Sequence, residues 1–191
     1  MASRSTNDTI HHDGINFHII NGGPGSGKTS VIHELRERGY PSVDEVGRKI
    51  IQEQLLIGGD ALHWGDKAKF LELMLSRSMG DYDRGGGIDG PVFFDRGVPE
   101  LAGYPRLVNM PELPHVTRAA KLFRYAPVVF VMPPWQEIYR NDLERKQDFA
   151  EAIASYDAAV ATYREFGYEP VDVPKLPVPD RADFILKRVL G

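Results

Sequence analysis

The chain predicts an α/β protein built on a parallel sheet, and three observations carry that reading. Five short apolar runs rich in strand formers are spaced along 191 residues. Segments with helical spacing of apolar residues separate them. A glycine-rich turn joins the first run to the first helical segment. Strand and helix in alternation imply βαβ units with right-handed crossovers, and in such sheets ligands sit at the carboxyl ends of the strands.

The elements follow in order. "NFHII" (16–20) reads as a buried strand. "KTSVIHELRERG" (28–39) places Val31, Ile32 and Leu35 on one helical face and ends at Gly39. "YPSVD" (40–44) is a second strand, and 45–59 a helix with Val46, Ile50, Leu55 and Ile57 apolar. Residues 66–85 form a helix whose stripe is Phe70, Leu71, Met74 and Leu75. "GPVFFD" (90–95) is a strand ending in an acid, 98–114 a proline-rich loop with a helical turn, and 115–126 a helix. "PVVFVM" (127–132) is a strand, 134–147 a polar helix, and 148–167 a helix with Ile153, Tyr156, Val160 and Tyr163 at core spacing. "EPVDVP" (169–174) and 180–190 close the chain as strand and helix.

Composition narrows the functional classes. The length suits one domain, expected over 15–191, with residues 1–14 as a polar tail that lacks the apolar core of a signal peptide. His11 and His12 in that tail read as solvated. The absence of cysteine removes disulfides and thiolate chemistry and fits a cytoplasmic setting. A net charge of −4 gives no broad cationic field, so no nucleic-acid partner is expected. The apolar runs are strand-length, so no membrane span is expected either.

Four stretches carry chemistry. Gly22, Gly23, Pro24, Gly25, Ser26, Gly27, Lys28, Thr29 and Ser30 match the phosphate-binding loop G-x-x-x-x-G-K-[ST], with a strand before and a helix after. Glycines let successive N–H groups turn around a phosphate, and the helix N-terminus adds free donors and its positive dipole end. Lys28 reaches the β and γ phosphates, and Thr29 is the expected Mg²⁺ ligand. In "FFDRG" (93–97), Asp95 can hold Mg²⁺ through water or accept a substrate proton, and Arg96 can clamp a phosphoryl oxygen. In "VDEVGRKI" (43–50), Glu45 is a candidate base and Arg48 a candidate substrate contact; the alternative makes Asp44 an N-cap and Glu45 a partner of the helix dipole. In "YRNDLERKQ" (139–147), Arg140, Arg145 and Lys146 fit a lid, expected around 134–148, that closes over the transferring phosphate. Arg140–Glu144 and Asp142–Lys146 have the spacing of surface ion pairs as well.

These loops favour phosphate transfer. No N-K-x-D occurs to read guanine, and the strand-end Asp95 is followed by a cation instead of a second, water-orienting acid. The expected activity is an ATP- and Mg²⁺-dependent small-molecule kinase that uses Glu45 or Asp95 as base. Its acceptor, nucleoside-like in kind, is expected between the helices of 45–57 and 66–84, near Trp64, Asp66, Phe70 and Arg77. A nucleotide-dependent switch or slow ATPase or GTPase acting through a protein partner is the alternative.

"INGGPGSGKTS", the Glu45–Arg48–Ile50–Ile51 pattern, "GGDALHW", "GPVFFDRGVPE", "PPWQEIYRNDLERKQDF" and "DRADFIL" span nearly the whole chain from residue 16. Together they resemble the P-loop family that includes the nicotinamide riboside kinase domain of bacterial NadR. The resemblance implies a three-layer α/β/α fold of the nucleoside/nucleotide-kinase type with a parallel five-stranded sheet. It also implies ATP with Mg²⁺, and Lys28 and Thr29 as phosphate and metal contacts. The Asp95–Arg96 pair looks like that of deoxynucleoside and thymidylate kinases, where such residues serve substrate and metal.

Overall fold

In a computed structural model of the protein, residues 14–23, 25–138 and 149–191 are described. Pro24, Arg140, Arg145, Lys146, most of the expected lid and His11 and His12 of the tail lie outside them. The chain runs β1 (Phe17–Gly22), α1 (Lys28–Glu37), β2 (Ser42–Val43), α2 (Val46–Ile57), α3 (Lys67–Gly85), β3 (Val92–Asp95), α4 (Val98–Leu101), α5 (Tyr104–Leu107), α6 (Pro114–Leu122), β4 (Val128–Met132), α7 (Phe149–Glu165), β5 (Glu169–Asp172) and α8 (Val178–Val189). The strands form one sheet in the order β2-β3-β1-β4-β5, with every neighbouring pair parallel.

Successive strand residues point to opposite faces, and here both faces are covered. Ile19 and Phe94 enter the larger core with α3, α4 and α7, while Ile20 and Phe93 enter the smaller one with α1 and α8. This double burial is why the strands read as continuous apolar runs. Ile19 and Ile20 are wholly buried, and a side chain of that size contributes roughly 1.5–3 kcal/mol before chain entropy is counted.

Some expectations give way to the structure. The proline-rich stretch 98–114 contains two one-turn helices, α4 and α5, each with proline at its start, where the missing N–H costs nothing. On α2 the inward residues are Gly47, Ile50 and Ile51, while Leu55 and Ile57 face solvent at 60% and 72% exposure. Leu56 between them is 85% exposed, so the last turn of the helix is turned to solvent. On α7 Ile153 is exposed, and the buried face is Ala152, Ala159, Val160, Thr162 and Tyr163. The helix expected over 134–147 shows only a turn at 136–138 within the described residues. Among the described residues no helix is long and apolar enough to cross a membrane.

Candidate active site

The phosphate loop bends between β1 and α1 as the glycine pattern requires. Gly27 holds φ 79°, a left-handed conformation that side chains disfavour, and α1 starts after it without a side-chain cap. The first N–H groups of the helix are thereby left for a ligand. At Gly22 a Cβ would lie 2.6 Å from Ser26 Oγ and 2.7 Å from Met132 Cβ, so the loop closes only over a hydrogen. Ser26 is buried with its hydroxyl unpartnered among the described residues, and Thr29 and Ser30 are exposed on the first turn of α1.

Parallel pairing of β1 with β3 sets Asp95 opposite Ile20 at the strand ends, beside this loop. Lys28 and Asp95, each side chain only 8% exposed, form an ion pair. Next to it the backbone of Arg96 turns left-handed (φ 70°), at a cost of roughly 1–2 kcal/mol for a non-glycine residue. The turn aims the guanidinium into a ring of acceptors. Nη1 bonds Glu100, Nη2 donates to Gly22 O at 3.2 Å, and Nε stands 3.4 Å from Glu45 Oε1. Burial opposes the charge of Arg96, but Glu100, Glu45 and Asp95 outweigh it and hold the guanidinium above its ordinary pKa. Glu100 also accepts from Asn21 Nδ2 at 2.5 Å and from the Tyr163 hydroxyl at 3.4 Å. The Tyr163 phenol is pushed well up, first by burial and then by Glu100.

This network opens on a cavity of about 460 Å³ between α2, α3, α5 and α7. Its walls are apolar, with Phe70, Met74, Phe94 and Tyr104 among them. The Tyr104 hydroxyl is buried without a hydrogen-bond partner among the described residues, and burial raises its pKa to about 12. The polar lining is acidic: Asp44, Glu45, Asp81, Asp95, Glu100 and Glu151 stand against Arg96, the one lysine or arginine among the described lining residues.

The sequence-derived candidates divide accordingly. Lys28, Asp95, Arg96 and Glu45 come together at the loop, and Phe70, 4% exposed, lies in the cavity wall 6.1 Å from the Tyr104 ring. Arg48 is exposed on α2 and does not line the cavity. Neither does Trp64, which is 53% exposed and packs edge-on against His63. Asp66 caps α3 by accepting from Lys69 N at 3.0 Å, and this backbone bond lowers its pKa. Arg77 pairs with Glu53 across α2 and α3. Asp44 is not the cap of α2; Glu45 occupies that position, and Asp44 pairs with Arg36 at 2.7 Å. Sequence reasoning missed Glu100, Asn21, Tyr163 and Tyr104. The signal for Glu100 was its place four residues after Arg96 at a helix start, which is ion-pair spacing.

The sheet order and the loop at the end of β1 define a P-loop nucleotide-kinase fold. The chain matches the AAA domain family over residues 17–181, and it belongs to that family. Among solved structures it is similar to NadR in complex with NR, at a TM-score of 0.68 and 16% identity over 93% of this chain. It spans about half of that protein, 52% of its length. Thymidylate kinase from Ehrlichia chaffeensis (TM-score 0.57, 15% identity, 93% of this chain and 100% of that one) shares the fold. So does deoxyadenosine kinase from M. mycoides (0.54, 14%, 91% and 98%). No protein of curated function matches the chain in sequence.

Proposed function

We propose that the protein is an ATP- and Mg²⁺-dependent phosphotransferase that moves the γ-phosphate to a hydroxyl of a small molecule, nucleoside-like in size, held in the cavity. One observation carries this reading: Asp95, the ion-pair partner of Lys28 in the phosphate loop, lines an acceptor-sized cavity of about 460 Å³. A hydrolase needs only water there. That a kinase-fold relative was solved with AMP-PNP supports the same nucleotide class.

The residues fit the roles. The Gly22 turn, closed against Ser26 and Met132, and the uncapped start of α1 cradle the phosphates. Lys28 exchanges Asp95 for the β and γ phosphates. Thr29 and Asp95 would hold Mg²⁺, which neutralises phosphate charge when bound. With Asp95 so committed, Glu45 takes the proton as the acceptor oxygen bonds to the γ-phosphorus and the bond to the bridging oxygen of ADP breaks. Glu100 and Glu45 fix Arg96 beside the reaction, where its charge steadies the transferred group. The acidic lining favours an acceptor without a phosphate, because a second anion would face six carboxylates.

A screen of unphosphorylated hydroxyl compounds with γ-labelled ATP tests the proposal. Transfer to one acceptor far faster than to water is the expected result. Release of phosphate to water alone, with every acceptor tried, refutes it.

A further inference from the structure

Arg181, in the first turns of α8, is a buried cation with a role the reading above leaves open. It is 5% exposed. Its Nη1 donates to Ser26 O at 3.3 Å, and its guanidinium carbon lies 5.6 Å from the ring centre of Trp135. Its Nε is buried and has no hydrogen-bond partner among the described residues. Among the described residues no carboxylate pairs with it. Arg96 shows the contrast within the same molecule: there two carboxylates meet the guanidinium, and its charge is reinforced. At Arg181 burial acts unopposed and lowers the pKa.

A guanidinium removed from water without a counter-anion is costly unless something completes it. The place of Arg181 says what that is. A Cβ on Gly27 would lie 2.8 Å from Nη1 and 3.1 Å from Nη2, so the guanidinium rests directly on the turn of the phosphate loop. Asp95, the ion-pair partner of Lys28, lines the cavity, whereas Arg181 does not. The loop therefore meets two cations, Lys28 within it and Arg181 against its turn, and among the described residues the second has unused donor capacity.

We propose that Arg181 is a second cation of the nucleotide site, whose charge is completed by the phosphates of the bound nucleotide. This rests on the reading that the loop holds a nucleotide. It assigns the guanidinium at the start of α8 to the phosphate chain, with the Trp135 ring 5.6 Å from it. Arg181→Met keeps apolar packing but removes the charge, and Arg181→Lys keeps the charge.

The test compares wild type, Arg181→Lys and Arg181→Met by calorimetric titration with Mg-ATP, inorganic tripolyphosphate and adenosine, and by thermal unfolding with and without ATP. Arg181→Met is expected to weaken ATP and tripolyphosphate binding by about tenfold or more, while Arg181→Lys stays close to wild type. Adenosine binding is unchanged. Without ligand, Arg181→Met unfolds at or above the wild-type temperature, because a buried charge with no carboxylate partner among the described residues has been removed. Undiminished tripolyphosphate binding by Arg181→Met overturns the proposal. So does a variant that melts early without ligand yet keeps the full ATP-induced rise, or one that fails to fold; both mark Arg181 as a structural peg. If wild type binds neither ATP nor tripolyphosphate, the nucleotide reading itself fails and this inference with it.

Discussion

Glu100→Ala probes the polar network that fixes Arg96. Glu100 meets the Arg96 guanidinium through one oxygen and accepts from Asn21 and Tyr163 through the other. Its side chain is 18% exposed and that of Arg96 is 24%, so solvent replaces the lost partners only in part. Glu45, 3.4 Å away, and the Gly22 carbonyl retain part of the charge compensation. Removing one partner of a fully buried pair costs about 3–5 kcal/mol. Partial exposure and the remaining acceptors reduce this to roughly 2–3 kcal/mol. For a chain of this length that is a fall in Tm of roughly 5–10 °C. Thermal unfolding of wild type, Glu100→Gln and Glu100→Ala measures it. Glu100→Gln retains an acceptor for Asn21 and should lose less than Glu100→Ala. A Glu100→Ala protein with unchanged Tm would refute the view that Glu100 holds Arg96 in its left-handed turn.

Three further outcomes follow from the geometry. Gly22→Ala places a Cβ against Ser26 and Met132, so ATP affinity by titration should fall sharply while far-ultraviolet dichroism stays native. Trp64→Ala should leave turnover and Tm near wild type, since the ring is half exposed and away from the cavity; a large loss of transfer would restore Trp64 to the acceptor site. His18, on β1, is lowered by burial to about 4 from 6.5. The unfolded chain therefore takes up this proton first as pH falls. Stability from keeping His18 neutral is full above pH 6.5 and is lost between 6.5 and about 4, up to about 3 kcal/mol in all. His18→Gln should flatten the acid limb of a denaturation series in that window; an unchanged slope would refute the assignment.

The parts of the fold legible in the sequence were those set by local pattern. A strand buried on both faces needs a continuous apolar run, so β1, β3 and β4 announce themselves; the glycine spacing around Lys28 fixes the turn that follows β1. The last turn of α2 misled because Leu55 and Ile57 are apolar yet exposed to solvent. At the site, Lys28, Glu45, Asp95 and Arg96 were visible because each stands at a strand end or in the loop itself. Asn21 and Tyr163 are 142 residues apart, and their bond depends on how α7 lies across β1, which no local spacing encodes. Trp64, Asp66 and Arg77 looked like acceptor contacts by their place in the chain. The rotation of α3 turned Phe70 into the cavity, left Asp66 at the cap and aimed Arg77 at Glu53.

The most direct measurement of the central claim is phosphate transfer by wild type and Glu45→Gln, followed with γ-labelled ATP and the best acceptor found in the screen. Wild type should place the label on the acceptor hydroxyl. Glu45→Gln should show a fall in kcat of about a hundredfold or more with ATP affinity retained. Equal transfer by the two proteins, or label recovered only as inorganic phosphate, would contradict it.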